Sequence, residues 1–464
     1  MSGPILVLGA GCAGLSAARR LRALGAAVIV VEAENNVGGL AGGVRVGPDV
    51  YEYGPHIFHT TDAEILADIK KLMGPELLEY QRTIRIKFLG AWFNFPLSIA
   101  DVLGKLPPTT TLRAAFSFLW HAAAGLLHRP EIENTETILR REYGDVLYRL
   151  FFKDYIQKVW GIPPSAFSAS FARERIPRLN ILEIVDKAVS TVKNSLRPSR
   201  SVSTQGFVEK VEGDLYTTRR GFSLICDRMA EALRAQGAQV RLRSRVVGLR
   251  LEGRRVAAVE IETEAGRDVV PCSGIVNTLP INSAALLFMP GLGSEVAAAA
   301  AKLRFRAIVF VGLKIRRPKV LPASFVYFRE HAFNRVTDLS YFKFKMDPPE
   351  STLIVAEIAC DVGDEIWRDE AAAREAALAD LEREALIARE EIIDSVVYRT
   401  AHGQPMYTLG YEDALKTVLG AFESLSNAAT AGRQGRFAYV NTHVAMKMGI
   451  EAADRLYSKI RATI

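Results

Sequence analysis

A glycine-rich turn between two short apolar segments constrains the start of this 464-residue chain more than any other feature. Residues 5–8 are continuously apolar, which is typical of a buried parallel strand. The turn Gly-Ala-Gly-Cys-Ala-Gly follows at residues 9–14, and a helical apolar pattern then runs to Gly25. A second predicted strand, residues 27–31, ends at Glu32. Strand, glycine turn, helix, strand and acid in this order predict a dinucleotide-binding βαβ unit.

Each glycine of the turn has a physical role in such a unit. Gly9 permits the tight turn, Gly11 lets the backbone approach a pyrophosphate, and Gly14 lets the helix pack closely on the strand. The helix N-terminus presents free N–H groups and a positive dipole end to the phosphates. Glu32 is placed to accept hydrogen bonds from a ribose diol. NAD and FAD both use this arrangement, so the residues that follow decide between them.

A second glycine turn follows the acid at Val37-Gly38-Gly39. It resembles the extended flavin signature of the amine-oxidase superfamily. The resemblance implies that the cofactor is FAD, and that backbone N–H groups of this turn point toward its pyrophosphate. It also implies an α/β fold, with a Rossmann-type FAD-binding domain and an inserted α+β substrate domain. We expect the FAD-binding domain to comprise residues 1–90, 207–285 and 405–464, and the substrate domain residues 91–206 and 286–404.

The remaining pattern mixes helices and strands, without internal repeats. Residues 99–162 are largely helical in pattern, and residues 197–206 are polar and loop-like. Further helices are expected at 222–236 and 444–459, with a solvated helix at 371–389 that is rich in Ala and Glu. Strands are expected at residues 84–96, 240–247, 254–263, 274–279 and within the block 307–359.

Composition excludes some classes of function. The net charge of +7 is spread along the chain, whereas a nucleic-acid binder usually concentrates basic residues in a patch. The excess of basic over acidic residues is compatible with an anionic small substrate or with an effect on solubility alone. The four cysteines lie far apart without a CxxC pair, so we expect reduced, mostly buried thiols in a cytoplasmic protein, without a metal site or a signal peptide.

Residues 112–127 form an apolar stretch shorter than the roughly 20 residues of a membrane-spanning helix. The stretch also contains Arg113 and His121. Two interpretations stay open, a buried or partly exposed helix and a peripheral contact with a membrane surface. Whether the chain forms a homo-oligomer is also open.

Several segments beyond the FAD motif resemble UDP-galactopyranose mutases. They are Tyr-Gly-Pro-His-Ile-Phe-His-Thr at residues 53–60, Asn-Phe-Pro-Leu at 94–97, Phe-Lys-Asp-Tyr-Ile-Gln-Lys-Val-Trp-Gly at 152–161, Arg-Ile-Pro at 175–177, Phe-Asn-Arg-Val at 333–336 and Gly-Arg-Gln-Gly at 432–435. The resemblance covers most of the chain, and the histidine and tryptophan segments are its most specific parts.

The resemblance implies a set of site residues. His59 would lie beside the flavin, and Arg175 and Arg335 would bind a substrate diphosphate through their planar guanidinium groups. The uridine and the sugar would contact Phe152, Tyr155 and Trp160, with Tyr439 facing a phosphate. Further cofactor contacts are expected from Ala13, Leu40, His56, Val246 and Gly435. Structural roles are the alternative for the histidines, the aromatic residues and the arginines.

The chain also departs from the mutase pattern. Gln404 stands where a diphosphate-binding tyrosine is expected, and Asn441 and His443 stand where these mutases usually have acids or amides. Residues 214–222 look more like the protoporphyrinogen-oxidase branch. Two functions therefore stay open. One is a non-redox isomerase that uses reduced flavin to interconvert pyranose and furanose forms of a nucleotide sugar. The other is an oxidoreductase that takes a hydride from its substrate. Convergence of Arg175 and Arg335 in one cleft over the flavin would favour the isomerase.

Overall fold

The computed structural model describes residues 3–95, 105–127, 132–176 and 214–462. Its first sheet has five parallel strands, in the spatial order β10, β2, β1, β14, β21. These strands are β1 (Ile5–Leu8), β2 (Val28–Val31), β10 (Gln239–Arg241), β14 (Gly274–Asn277) and β21 (Ala428–Thr430). The central strands β1, β2 and β14 are fully buried, which explains their uninterrupted apolar sequence. The predicted strands at 5–8 and 27–31 are confirmed.

Helices from both the N-terminal and the C-terminal parts of the chain pack in this part of the fold. They include α1 (Cys12–Ala23), α2 (Ala63–Met73), α7 (Ser223–Ala235) and α14 (Thr442–Ala462). The contact of α14 with α1 is as close as backbones allow, because a Cβ atom at Gly449 would lie 2.1 Å from the Ala13 carbonyl oxygen. The expected helices at 222–236 and 444–459 are thus confirmed within one to three residues.

A second sheet has four strands, all of which follow β10 in sequence. It contains β11 (Arg245–Glu252), β12 (Arg255–Thr263), β13 (Gly266–Pro271) and β15 (Phe288–Met289). The prediction of one strand over 240–247 is wrong. The chain turns at Arg243, where φ is +48°, so that β10 joins the parallel sheet and β11 the antiparallel one. Alternate residues remain apolar across this turn except at Ser244, so the pattern gave little signal of the break.

A seven-stranded sheet forms most of the second half of the fold, in the order β20, β16, β19, β18, β17, β7, β8. Its strands are β7 (Ile84–Phe88), β8 (Ala91–Asn94), β16 (Phe305–Ile315), β17 (Phe325–Phe328), β18 (Arg335–Asp338), β19 (Thr352–Cys360) and β20 (Ile392–Pro405). Helix α11 (Glu370–Arg383) buries Ala373, Ala377 and Leu381. The helix expected to be solvated at 371–389 therefore has one packed face and ends six residues earlier.

The helical region that follows β8 confirms the pattern predicted for 99–162 where it is described. It contains α3 (Pro108–Leu127), α4 (Thr135–Leu147), a π-helical turn (Tyr148–Lys153), α5 (Asp154–Trp160) and α6 (Ala169–Arg175). Gly144 has φ +74°, and a Cβ atom there would lie 2.7 Å from the Phe118 backbone nitrogen, so α3 and α4 pack closely. Among the described helices, none is long and apolar enough to cross a membrane.

Smaller elements complete the described parts. They are strands β3 (Gly43–Val46), β4 (Asp49–Glu52), β5 (Phe58–His59), β6 (Leu78–Glu79) and β9 (Leu215–Thr217), and helices α8 (Ile281–Ala285), α9 (Ser294–Lys302), α10 (Glu365–Arg368), α12 (Tyr411–Glu423) and α13 (Gly432–Gly435). All four cysteines are buried free thiols, as expected. The polar segment 197–206, Pro96 and Pro177 lie outside the described residues.

The division into two discontinuous domains remains a proposal. The hairpin of β7 and β8 belongs to the seven-stranded sheet, which would place the first boundary before Ile84. The boundary proposed at 206/207 lies outside the described residues. Strands β16 to β20 all join the seven-stranded sheet, which agrees with a second domain resuming after residue 286.

Candidate active site

The first glycine turn has the geometry that a pyrophosphate needs. Gly9 has φ +101°, and Gly11 directly precedes the first residue of α1. That helix has no side-chain cap and no acid in its first turn, so its N-terminal N–H groups are left to a ligand. A Cβ atom at Gly14 would lie 2.0 Å from the Gly9 carbonyl oxygen, so glycine is required where the helix crosses the strand.

The second glycine turn lies against the first. The Gly38 N–H donates to the Ala10 carbonyl at 2.9 Å. Gly38 and Gly39 have φ values of +116° and +54°, and a Cβ atom at Gly39 would lie 3.3 Å from the Gly11 Cα. The two turns together form a cradle with little room for side chains, which suits the pyrophosphate of FAD. Leu40 follows this turn and lines the adjoining cleft.

Glu32 is held in place by backbone donors at the end of β2. Its Oε2 accepts from the Ala10 N–H at 2.8 Å, and its Oε1 accepts from the Glu34 N–H at 3.0 Å. Burial raises the pKa of this carboxyl group, and the backbone hydrogen bonds oppose that rise. Val246 lies in the apolar cluster that contains Val31, and its contact with the cofactor remains a prediction.

Two other predicted cofactor residues contact protein atoms within this unit. Ala13 packs against Gly432 and Gly449, where a Cβ atom at Gly432 would lie 2.7 Å from the Ala13 Cβ. A Cβ atom at Gly435 would lie 2.9 Å from Thr430 Oγ1. Both positions therefore require small residues for packing, and their contacts with FAD remain predictions.

A cleft of about 860 Å³, including its open mouth, adjoins the second glycine turn. We call it the site cleft. Most of its polar lining comes from six segments distant in sequence: His56, His59, Arg82, Arg335, Glu357, Gln404, Arg433, Tyr439 and Asn441. A second cleft, lined by Glu34, Asn36 and Arg243, shares the side chain of Tyr53 with it. The two clefts adjoin through Tyr53, on the side where the cofactor's adenosine half is expected.

The two predicted histidines lie in the site cleft. The His56 Nδ1 is 3.2 Å from the Gly54 carbonyl oxygen. Burial, followed by the charges of Arg433 and Arg335, lowers the pKa of His56 to about 3, so this ring is neutral at physiological pH. His59 is buried, with its Nε2 3.5 Å from Asn441 Nδ2 and its ring 4.6 Å from that of His443.

Arg335 lines the cleft in a bidentate ion pair. Its Nε donates to Glu357 Oε1 at 2.6 Å and its Nη2 to Oε2 at 2.9 Å. The two residues are direct cross-strand partners in β18 and β19. Although burial opposes the charge, the Glu357 carboxylate raises the pKa of this guanidinium group. Arg335 thus keeps its charge, and part of its donor capacity is already used.

Arg175 lies behind the cleft wall, enclosed by aromatic rings. Its guanidinium carbon is 4.0 Å from the ring centroid of Tyr439 and 4.4 Å from that of Trp160. Its Nη1 donates to Gln404 Oε1 at 3.2 Å and its Nη2 to the Pro405 carbonyl at 3.1 Å. Burial lowers its pKa to about 10, which leaves it charged at neutral pH. Arg335 lines the cleft with Tyr439 and Gln404, whereas Arg175 contacts these two residues without lining the cleft, so the two arginines do not converge within it.

The predicted aromatic contacts are distributed unequally. Tyr439 lines the site cleft, and its N–H donates to the Tyr407 hydroxyl at 2.9 Å. Trp160 is buried against Phe167 and Phe171, and Phe152 is buried against Tyr143 at 4.5 Å. Tyr155 is half-buried, and burial raises the pKa of its phenol. Phe152, Tyr155 and Trp160 do not line the cleft, so their roles toward a substrate remain predictions.

Sequence reasoning missed two arginines of the site cleft, Arg82 and Arg433. The Arg433 Nε and Nη2 both donate to the Val440 carbonyl, at 3.1 and 2.8 Å. Arg433 follows β21, a strand that the sequence analysis did not predict, and ligands of α/β sheets bind beyond the carboxyl ends of strands. Arg82 carried no comparable signal. Within the described ranges, no group of three or more His, Cys, Asp or Glu residues could hold a metal ion.

Comparison with known proteins fits this geometry. Residues 12–400 match the family of flavin containing amine oxidoreductases. A probable UDP-galactopyranose mutase from Klebsiella pneumoniae is 26% identical over 179 residues, which are 38% of this chain and 46% of that protein. A dTDP-fucopyranose mutase from Escherichia coli is 23% identical, with the same coverage. The alignment thus spans about half the length of these curated relatives.

Solved structures with this fold cover almost the whole chain. A reduced UDP-galactopyranose mutase superposes with a TM-score of 0.81 at 19% identity, covering 99% of this chain and 94% of that one. A putative protoporphyrinogen oxidase from Exiguobacterium sp. superposes with a TM-score of 0.69 at 18% identity, covering 100% of both chains. These similarities confirm the predicted α/β, FAD-binding fold with its second, mixed part.

Proposed function

Because the chain belongs to the family of flavin containing amine oxidoreductases and its cofactor is FAD, we propose that it is a mutase-like flavoenzyme. Its substrate in this proposal is a nucleotide sugar, whose pyranose and furanose forms it interconverts. The two relatives named as mutases act on nucleotide sugars by their names, which supports this substrate class.

The observation that carries the proposal is the cationic lining of the site cleft. Arg82, Arg335 and Arg433 line it together, next to the turn of Gly38 and Gly39. A diphosphate is the part of a nucleotide sugar that needs such a lining, because guanidinium groups bind phosphate oxygens in planar, charge-assisted hydrogen bonds. A purely apolar tunnel, expected for a hydrophobic oxidase substrate, is not what these side chains form.

The chain's residues can supply positioning and electrostatics. Reduced FAD, when bound, supplies the electron pair for the anomeric carbon. Arg433 and Arg335 would hold the leaving diphosphate and stabilise its developing charge. His56 stays neutral, so it can donate or accept a hydrogen bond without adding a further positive charge. Gln404 and Tyr439 would face the substrate from the wall that encloses Arg175.

One observation favours an oxidoreductase instead. The two arginines expected to bind the diphosphate already have hydrogen-bond partners. Arg335 donates to Glu357, and Arg175 donates to Gln404 and to the Pro405 carbonyl. If these partners stay in place with substrate bound, Arg335 and Arg175 have fewer donors left for a diphosphate, and Arg433 already donates twice to the Val440 carbonyl. A substrate without a diphosphate would then suit the cleft, and FAD would accept a hydride from it.

The test is an anaerobic assay of the purified holoprotein. Its flavin is reduced with dithionite, UDP-galactofuranose is added, and UDP-galactopyranose is measured by chromatography. Turnover that occurs with reduced flavin and not with oxidised flavin supports the mutase. Absence of turnover and of nucleotide binding, together with oxygen consumption on an amine or another reduced substrate, supports the oxidoreductase.

A pair of variants tests the cleft itself. Arg433→Gln removes a cleft arginine, and we expect kcat/KM to fall about 10- to 100-fold, as for loss of one charge-assisted hydrogen bond. Arg436→Gln is the matched control, because Arg436 lies three residues away and pairs with Glu423 outside the cleft. Equal effects of the two substitutions would refute a diphosphate role for Arg433.

A further inference from the structure

Helix α3 (Pro108–Leu127) exposes a row of large apolar side chains. The exposed fractions are 71% for Leu112, 71% for Phe116, 65% for Leu119 and 64% for Trp120. Their spacing of four, three and one places them on one side of the helix. Single exposed apolar residues are ordinary, whereas a contiguous row marks an interaction surface. We call these four residues the α3 face.

The opposite side of the helix is fixed to the protein. Ala114 is buried, and the Ser117 hydroxyl accepts from the Val146 N–H at 3.3 Å. The helix backbone at Phe118 lies so close to Gly144 that a Cβ atom there would be 2.7 Å away. The orientation of the helix is therefore set by its packing on α4, and the α3 face points away from that contact.

The charged side chains of the described segment that carries the α3 face have one sign. Residues 105–127 contain two basic residues, Lys105 and Arg113, and no Asp or Glu. Arg113 is exposed and adjacent to Leu112. A second copy of this chain would bring its own Arg113 against the same basic surface, which disfavours self-association. Exposed aromatic and aliphatic side chains beside basic residues, without acids, are typical of helices that lie on anionic lipid.

We propose that the α3 face binds the surface of a bilayer containing anionic phospholipids. The helix lies parallel to the membrane plane, with Phe116 and Trp120 inserted at the boundary of headgroups and acyl chains. Arg113 contacts lipid phosphates. This contact does not depend on the reaction at the site cleft, because α3 contributes no residue to the cleft lining.

The experiment is flotation of the full-length holoprotein with vesicles. One set contains phosphatidylcholine alone, and the other phosphatidylcholine and phosphatidylglycerol in equal amounts. We expect binding to the anionic vesicles, weakened by added salt because charge contributes to it. Trp120→Glu is expected to lower the bound fraction at least about tenfold, because it places a charge in the interface. Val362→Glu, at a position 62% exposed outside α3, is the control and retains binding.

Arg113→Glu provides a second variant that leaves the apolar side chains intact. It is expected to abolish the preference for anionic vesicles while FAD content and thermal midpoint stay at wild-type values. The proposal is overturned if the wild-type protein does not float with anionic vesicles, or if Trp120→Glu and Val362→Glu bind equally. It is also overturned if light scattering shows an oligomer that Trp120→Glu dissociates, because a second copy then covers the face.

Discussion

The ion pair of Arg335 and Glu357 predicts a large stability cost for Arg335→Ala. The Glu357 side chain is 2% exposed and that of Arg335 is 19% exposed, so the carboxylate cannot replace its lost partner with bulk water. Removing one member of a buried pair typically costs about 3–5 kcal/mol of unfolding free energy. The unfolding entropy of a chain this size is about 1 kcal/mol/K, so the thermal midpoint is expected to fall by about 3–5 °C.

The assay is differential scanning calorimetry of four holoproteins under one buffer condition. Adding Glu357→Gln to Arg335→Ala removes the buried charge, and the double variant is expected to regain most of the lost midpoint. Arg436→Ala breaks a pair whose side chains are 31% and 62% exposed, and is expected to cost at most about 1 kcal/mol. An Arg335→Ala protein with the wild-type midpoint, or a double variant without recovery, would refute this reasoning. The result also separates folding from catalysis, since turnover lost in a double variant of normal stability reports on substrate binding.

Two further predictions concern Gly14 in the cofactor cradle and the buried carboxyl group of Glu52. Gly14→Ala places a Cβ atom 2.0 Å from the Gly9 carbonyl oxygen, so the amount of FAD retained by the purified protein should fall about tenfold. Retained FAD is measured by absorbance at the flavin band. Gly420→Ala is the control and should retain FAD, because a Cβ atom there meets no atom within 4 Å. Burial raises the pKa of Glu52 from 4.5 to about 8, so the folded protein binds a proton that the unfolded chain releases, and stability should fall as pH rises through this window by up to about 1.4 kcal/mol per unit. Urea unfolding at pH 5.5 and 7.5 should show a flatter dependence for Glu52→Gln, and identical slopes would contradict the assignment.

The parts of the fold that sequence predicted are those fixed by local chemistry. The turn at Gly9, Gly11 and Gly14 could be located because two of its demands are local: Gly9 has φ +101°, and a Cβ atom at Gly14 would lie 2.0 Å from the Gly9 carbonyl oxygen. The buried strands could be located because parallel strands covered on both faces are apolar throughout. The split of residues 240–247 at Arg243 could not, since a single left-handed residue changes the sheet without changing the apolar pattern.

The arrangement of the site depends on long-range register, which sequence does not display. Arg335 faces Glu357 because β18 and β19 pair in one particular register, and the chain between these two residues, 22 positions apart, does not specify it. Arg175 was predicted to bind phosphate, yet its enclosure by Trp160 and Tyr439 follows from the packing of α6 against distant segments. Resemblance identified the right neighbourhood, and only three-dimensional contacts distinguish residues that line the cleft from those that support its wall.

The close contact of Ala13 with Gly449 also bears on the order of events during biosynthesis. The cradle begins with β1, but the fifth strand of its sheet, β21, is translated more than 400 residues later, and α14 follows it. Until that helix emerges from the ribosome, α1 lacks one of the surfaces it packs on. We therefore expect stable binding of FAD to follow the synthesis of α14, so that cofactor supply affects the yield of newly made protein more than the rate of its synthesis.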